Sequence, residues 1–165
     1  MPDNDRELFP SWLGSSFTGL DQTMRIATLD EGFIARGTAE SIAVGPRLVV
    51  CSDRQLLCSW MRNSATGVND FVPMLSRSRD LGRHWSEATP IWPHLKHQWS
   101  VFASVSRDAA GNLFLFGSRT PIDQPGESFW CDATQGLKQN ELIWARSVDG
   151  GATWTEPSPI PPEAR

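Results

Sequence analysis

The chain has 165 residues, a net charge of −4, thirteen Gly, twelve Pro, eight Trp and no Tyr. This length suits one ordinary domain. The mild acidity, with no run of like charges, argues against nucleic acid and anionic membrane surfaces as partners. No stretch approaches the ~20 apolar residues of a membrane span.

Residues 1–23 mix Asp, Asn, Pro, Ser and Gly with little period and read as an irregular lead-in. They hold no apolar run of the signal-peptide kind, which points to the cytoplasm, or to secretion if the gene start lies further upstream. Met24–Leu29 alternates and reads as a strand, and 30–39 is ambiguous. From about residue 40 the pattern becomes regular. Arg47–Cys51 and Leu56–Met61 read as strands around a turn at Ser52–Gln55, and Arg62–Asp70 is a polar loop. Phe71–Arg77 and Trp85–Ile91 are the next two strands. The same order returns as Val101–Ser106, a turn with Gly111-Asn112, Leu113–Ser118, a long loop over 119–140, Glu141–Arg146 and Trp154–Ile160. Asp53 and Asp108 fall in matching turns. Cys51, Cys58 and Cys131 are odd in number and lack metal-ligand spacing, so they read as free thiols in a reducing compartment.

The turn before the fourth strand is spelled the same way twice, 69 positions apart. Ser78, Asp80, Gly82 and Trp85 match Ser147, Asp149, Gly151 and Trp154 in the pattern Ser-x-Asp-x-Gly-x-x-Trp. The match runs on through Trp-Ser/Thr-Glu to Pro-Ile. A short Asp or Ser side chain bonds backbone N–H groups a few residues on and closes a tight turn. Gly supplies positive φ, and Trp anchors the outgoing strand with a large apolar ring. These residues are therefore expected to be structural rather than a catalytic carboxylate pair. Two four-stranded units, about 40–93 and 100–160, suit successive blades of a β-propeller; a β-sandwich is the competing architecture.

The duplicated motif resembles the Asp-box, or BNR repeat, of the sialidase (neuraminidase) family, over roughly residues 40–160. The resemblance implies an all-β, six-bladed propeller, represented here by about two four-stranded blades within 24–165. Closing the ring then requires further blades or several copies of the chain. It also implies an exo-α-sialidase type of glycoside hydrolase, acting on a terminal sugar without metal or cofactor. The alternative is a propeller that binds a carbohydrate or a protein without catalysis.

Loops joining second and third strands share one end of such units, and that end is where binding groups are expected. There Arg62 looks like a family Arg that grips the substrate carboxylate, and Asp70 looks like the acid/base carboxylate. Arg119, equivalent to Arg62, and Asp123 are further candidates for the cleft, and Trp130 for sugar stacking. Family members use a Tyr nucleophile activated by Glu, and three Arg. This chain has no Tyr, and Thr38–Ala43 stands where the family has Arg-Ile-Pro. His94 and His97 lie at the same end, but no third metal ligand is apparent.

Overall fold

The computed structural model describes residues 31–52 and 54–161. The lead-in, the strand expected at Met24–Leu29 and the turn residue Asp53 lie outside them. The described residues are all-β: two four-stranded antiparallel sheets and one small hairpin, with no sheet closed into a barrel. No described helix is long and apolar enough to cross a membrane.

The first sheet is a meander of β1 (Ile42–Val50), β2 (Leu56–Asn63), β3 (Val72–Ser78) and β4 (Thr89–Pro90). The second takes β5 (Trp99–Arg107), β6 (Leu113–Pro121), β9 (Glu141–Ser147) and β10 (Ser158–Pro159), in the spatial order β5-β6-β9-β10. The long loop of the second unit carries its own hairpin, β7 (Trp130–Cys131) with β8 (Gly136–Leu137). From their second strands onward the two meanders share one register, while β1 departs from β5 by a bulge between Val44 and Arg47. Leu56 faces Ser78 and Leu113 faces Ser147; Arg62 faces Val72 and Arg119 faces Glu141; Met74 faces Pro90 and Ile143 faces Pro159.

Strands lie at the three inner positions expected in each unit, although β1 begins at Ile42 and not at Arg47, and the fourth is much shorter than Trp85–Ile91 and Trp154–Ile160. Its sequence explains this. Prolines at 90, 157 and 159 offer no N–H to the ladder. Next to each Trp, a hydroxyl replaces a strand carbonyl. Ser86 Oγ accepts from Arg77 N at 3.0 Å while Ser86 N donates to Arg77 O at 2.8 Å, and Thr155 treats Arg146 in the same way at 3.1 and 3.0 Å. This accounts for the Ser/Thr that follows Trp in both copies.

Side chains alternate across a strand, and residues directly paired share a face. The sheets stack accordingly. Leu57 and Leu75 on one face of the first sheet meet Val101, Ala103, Val105, Leu115 and Ile143 of the second, with Trp92 closing the core from the connecting segment. Ser59, fully buried in that contact, accepts a hydrogen bond from Val105 N at 2.9 Å. The opposite face of the first sheet carries Cys58, Trp60 and Met74, packed by Ile34, Ala35 and Trp85. Trp60 Nε1 donates to Ser76 Oγ at 3.2 Å. The two sheets are joined at both ends. At the motif-turn end, Arg77 Nη2 donates to Gly150 O at 2.7 Å. At the long-loop end, Val68 and Ser128 form an antiparallel bridge, and Asn69 N donates to Glu127 O at 2.8 Å.

Candidate functional site

The paired turns have one geometry. In the first, Ser78 Oγ accepts from Gly82 N at 2.8 Å and donates to Asp80 Oδ1 at 2.8 Å, and His84 N donates to Asp80 Oδ1 at 2.9 Å. In the second, Ser147 Oγ accepts from Gly151 N at 2.8 Å and donates to Asp149 Oδ1 at 2.8 Å, and Thr153 N donates to the same oxygen at 2.9 Å. Gly82 and Gly151 have φ of 91° and 85°, which L side chains rarely adopt. The backbone N–H and ring of His84, with the Ser78 hydroxyl, hold the Asp80 carboxyl down to about 2. The hydroxyl and backbone N–H of Thr153, with Ser147, push Asp149 down as well. Each carboxylate accepts the donors of its own turn. Trp85 packs into the outer cluster of the first sheet and Trp154 into the intersheet core.

At the opposite end, a cavity of about 230 Å³ opens beside the first long loop, lined by Glu40, Arg62, Asn63, Asp70, Pro93 and Lys96 among others. β2 carries Arg62 to its rim. Among the described residues no carboxylate pairs with the Arg62 guanidinium, which lies over the Trp60 ring, 5.9 Å from its centre. Asp70 ties the loop closed: Oδ1 accepts from Asn63 Nδ2 and from Ser64 N at 3.1 Å, and Asn63 Nδ2 also reaches Val68 O at 2.9 Å. No hydrogen bond engages Asp70 Oδ2 among the described residues. The cavity thus brings two cationic groups, Arg62 and Lys96, together with two carboxylates, Asp70 and Glu40, whose Oδ2 and Oε1 accept no hydrogen bond among the described residues.

The other expected site residues do not line this cavity. Arg119 occupies the position equivalent to Arg62, but the residue across from it is Glu141 rather than Val72. Its Nε therefore donates to Glu141 Oε2 at 2.8 Å, and its guanidinium lies 4.4 Å from the Trp99 ring centre. Asp123 pairs with Lys138 at 2.7 Å, and Trp130, 45 % exposed, sits on the β7–β8 hairpin. His94 pairs with Glu156 at 3.1 Å, and no group of three His, Cys, Asp or Glu among the described residues could hold a metal ion.

Two features of this end escape the sequence reading. Glu127 is a hub: Oε1 accepts from Lys138 Nζ and Asn69 Nδ2 at 2.8 Å each and from Asp123 N at 3.1 Å. Desolvation opposes its ionisation, but Lys138, Asn69 and the Asp123 N–H outweigh it and hold the carboxyl down to about 2. A second cavity of about 340 Å³ holds Asn69, Phe71, Phe102 and Phe129; the Phe71 ring centre lies 5.6 Å from that of Phe102 and 6.0 Å from that of Phe129. The alternation of Asn69-Asp70-Phe71 is the one signal of it in the sequence, since neighbours in an extended segment face opposite sides.

No protein-family model matches the chain, and a search of curated proteins finds no match.

Proposed function

We propose that the two sheets are successive blades of a sialidase-type propeller, and that the long-loop end recognises a terminal acidic sugar. The observation that carries this reading is the Arg62 guanidinium, without a carboxylate partner among the described residues, over a cavity that also holds Lys96, Asp70 and Glu40. A guanidinium grips a carboxylate through two parallel N–H···O bonds, and a planar acid such as that of a sialic acid fits that fork. Lys96 adds a second positive charge. In the hydrolytic form of the reading, Asp70 Oδ2 passes its proton to the glycosidic oxygen as that oxygen leaves the anomeric carbon, a water oxygen bonds to the carbon in its place and releases a proton to solvent, and Oδ1 stays tied to Asn63 and Ser64. The propeller part is supported by the shared register of the meanders and by their matching turns.

One observation favours a second reading, in which the site binds an acidic sugar without cleaving it. None of the 165 residues is Tyr, so this chain does not itself carry the nucleophile that sialidases use. Both readings require Arg62. Titration with N-acetylneuraminate, followed by chemical-shift changes, is expected to show saturable binding that Arg62→Ala weakens about tenfold or more, as loss of a charge-assisted pair predicts. Equal affinity in wild type and Arg62→Ala overturns the site. Release of fluorophore from a fluorogenic sialoside, lost in Asp70→Asn while binding persists, selects the hydrolase; saturable binding with no release selects the lectin-like form.

A further inference from the structure

Cations that are scattered along the sequence are gathered by the turn topology. Arg54, Arg77, Arg79, Arg83 and Arg107 all lie in or beside the turns of the motif-turn end, and among the described residues no carboxylate pairs with any of them. The turns adjoin one another. Leu81 N donates to Arg54 O at 3.2 Å, and Arg77 reaches across to Gly150 O. Burial raises the Cys51 thiol while the Arg77 and Arg107 cations both pull it down, so both guanidinium groups stand near that residue. The turn carboxylates are already engaged. Asp80 is held by Ser78 and His84, Asp149 by Ser147 and Thr153, and Asp108 by the backbone and side-chain N–H groups of Asn112.

The fold does not require this charge. The pattern Ser-x-Asp-x-Gly-x-x-Trp leaves four positions free, and the two copies fill them differently. The first has Arg79, Leu81, Arg83 and His84; the second has Val148, Gly150, Ala152 and Thr153, with the same bonds from Ser to Gly and Asp. A turn of this kind therefore closes without Arg79 and Arg83. Beside the first turn lies an open cleft of about 510 Å³, lined by Arg77, Arg79, Asp80, His84, Trp85 and Ser86. Hairpin turns cap the ends of strands, so whatever packs on either sheet face leaves this end open to solvent.

We infer that the motif-turn end is a second binding surface, separate from the Arg62 cavity, and that it takes an acidic polysaccharide whose sulfate or carboxylate groups pair with these arginines. A guanidinium grips either oxyanion through parallel N–H···O bonds. The half-buried Trp85 indole in the cleft wall offers a rigid apolar face to a sugar ring. A peptide docks on a free strand edge or in an apolar groove, whereas these turns spend their N–H groups on their own Ser and Asp side chains. Asp80 lies between Arg79 and Arg83, and Asp108 follows Arg107. The positive charge is thus interrupted, which suits a polymer that carries its oxyanions sugar by sugar better than the dense phosphate row of a nucleic acid. The inference does not rest on the sugar chemistry proposed for the long-loop end.

The test is calorimetric titration of the 165-residue chain with dextran sulfate, with polygalacturonate and with uncharged dextran. Saturable binding to at least one of the two acidic polymers and none to dextran is expected, and which polymer binds tells sulfate from carboxylate. Affinity is expected to fall as salt rises, because the arginines displace the polymer's counterions. The triple variant Arg54→Gln, Arg79→Gln, Arg83→Gln changes three exposed side chains and removes no described turn hydrogen bond. It is expected to melt as wild type does and to bind about tenfold or more weakly. Saturating N-acetylneuraminate is expected to leave the titration unchanged, because the two surfaces lie at opposite ends of the strands. Binding to neither acidic polymer overturns the inference. So does salt-independent binding, a folded triple variant of wild-type affinity, or competition by N-acetylneuraminate. Poly-glutamate bound as tightly as the better polysaccharide assigns the surface to an acidic protein and overturns the choice of ligand. A chain that binds an acidic polymer but no N-acetylneuraminate loses only the long-loop site, and the reverse result removes only this one.

Discussion

Truncating one hydroxyl, Ser147→Ala, tests whether the repeated turns are held as described. Ser147 Oγ takes part in three hydrogen bonds: it accepts from Gly151 N at 2.8 Å and Asp149 N at 3.4 Å and donates to Asp149 Oδ1 at 2.8 Å. The Asp149 carboxylate is open to water, which replaces the donated bond, and the 3.4 Å contact is weak at that length. Gly151 is buried, so its N–H is left without a partner, at a cost of about 1–3 kcal/mol. The expected loss is therefore about 2 kcal/mol, or a melting temperature lowered by roughly 4–8 °C for a chain of this size. The twin substitution Ser78→Ala is the internal control. Gly82 is only partly buried, so water reaches its N–H and the expected loss is about 1 kcal/mol. Urea unfolding followed by Trp fluorescence gives both values, with an unchanged m-value confirming that only stability has moved. If Ser147→Ala unfolds at the wild-type midpoint, or if Ser78→Ala is the more damaging, the burial argument fails.

Other substitutions separate structural from binding roles. Asp80→Ala and Asp149→Ala are expected to lower the urea midpoint and leave N-acetylneuraminate affinity unchanged; lost affinity at wild-type stability refutes their structural role. Arg119→Ala is expected to cost about 1 kcal/mol through Glu141 and Trp99 with no change in affinity, the reverse of Arg62→Ala. Gly117→Ala is expected to cost about 3 kcal/mol or more, because a Cβ there would lie 1.8 Å from Phe102 O and 2.7 Å from Ala103 Cα, both backbone atoms of β5; soluble expression at the wild-type midpoint refutes this. Glu127 has a folded-state pKa of about 2 against an ordinary 4.5, so its contribution is complete above the ordinary value and disappears as pH falls from about 4.5 towards 2. Glu127→Gln is expected to flatten the acid limb of a stability–pH curve in that window, leaving the part due to Asp80, Asp108 and Asp149; an unchanged limb counts against the hub.

What the sequence disclosed follows from how local each determinant is. The turns were legible because Ser78, Asp80 and Gly82 make their bonds within four residues of one another. The inner strands were legible because alternation and β-branched residues report a pleated surface directly. The fate of Arg119 was not, because it depends on Glu141 across the sheet, and Arg62 differs only in facing Val72. The loop hub was hidden for a similar reason: Glu127 gathers Asn69 from 58 residues away. Nor does an unbroken run such as Leu113–Phe116 say which side is covered; the register does, placing Leu113 and Leu115 inward and Phe114 and Phe116 outward.

The Arg77–Gly150 bond and the Val68–Ser128 bridge clasp the pair of sheets at opposite ends of their strands. A hinge between the sheets would have to open at least one of these clasps, and a shear would have to slide the Val105–Ser59 bond along with them. The two repeats are therefore expected to melt in a single cooperative step, which one calorimetric transition would report, although each repeat in an ordinary tandem array has its own intrinsic stability. The two long loops are bonded to each other by the Val68–Ser128 bridge and by Asn69 N on Glu127 O, so changing the spacing between them means breaking backbone hydrogen bonds and not merely swinging side chains.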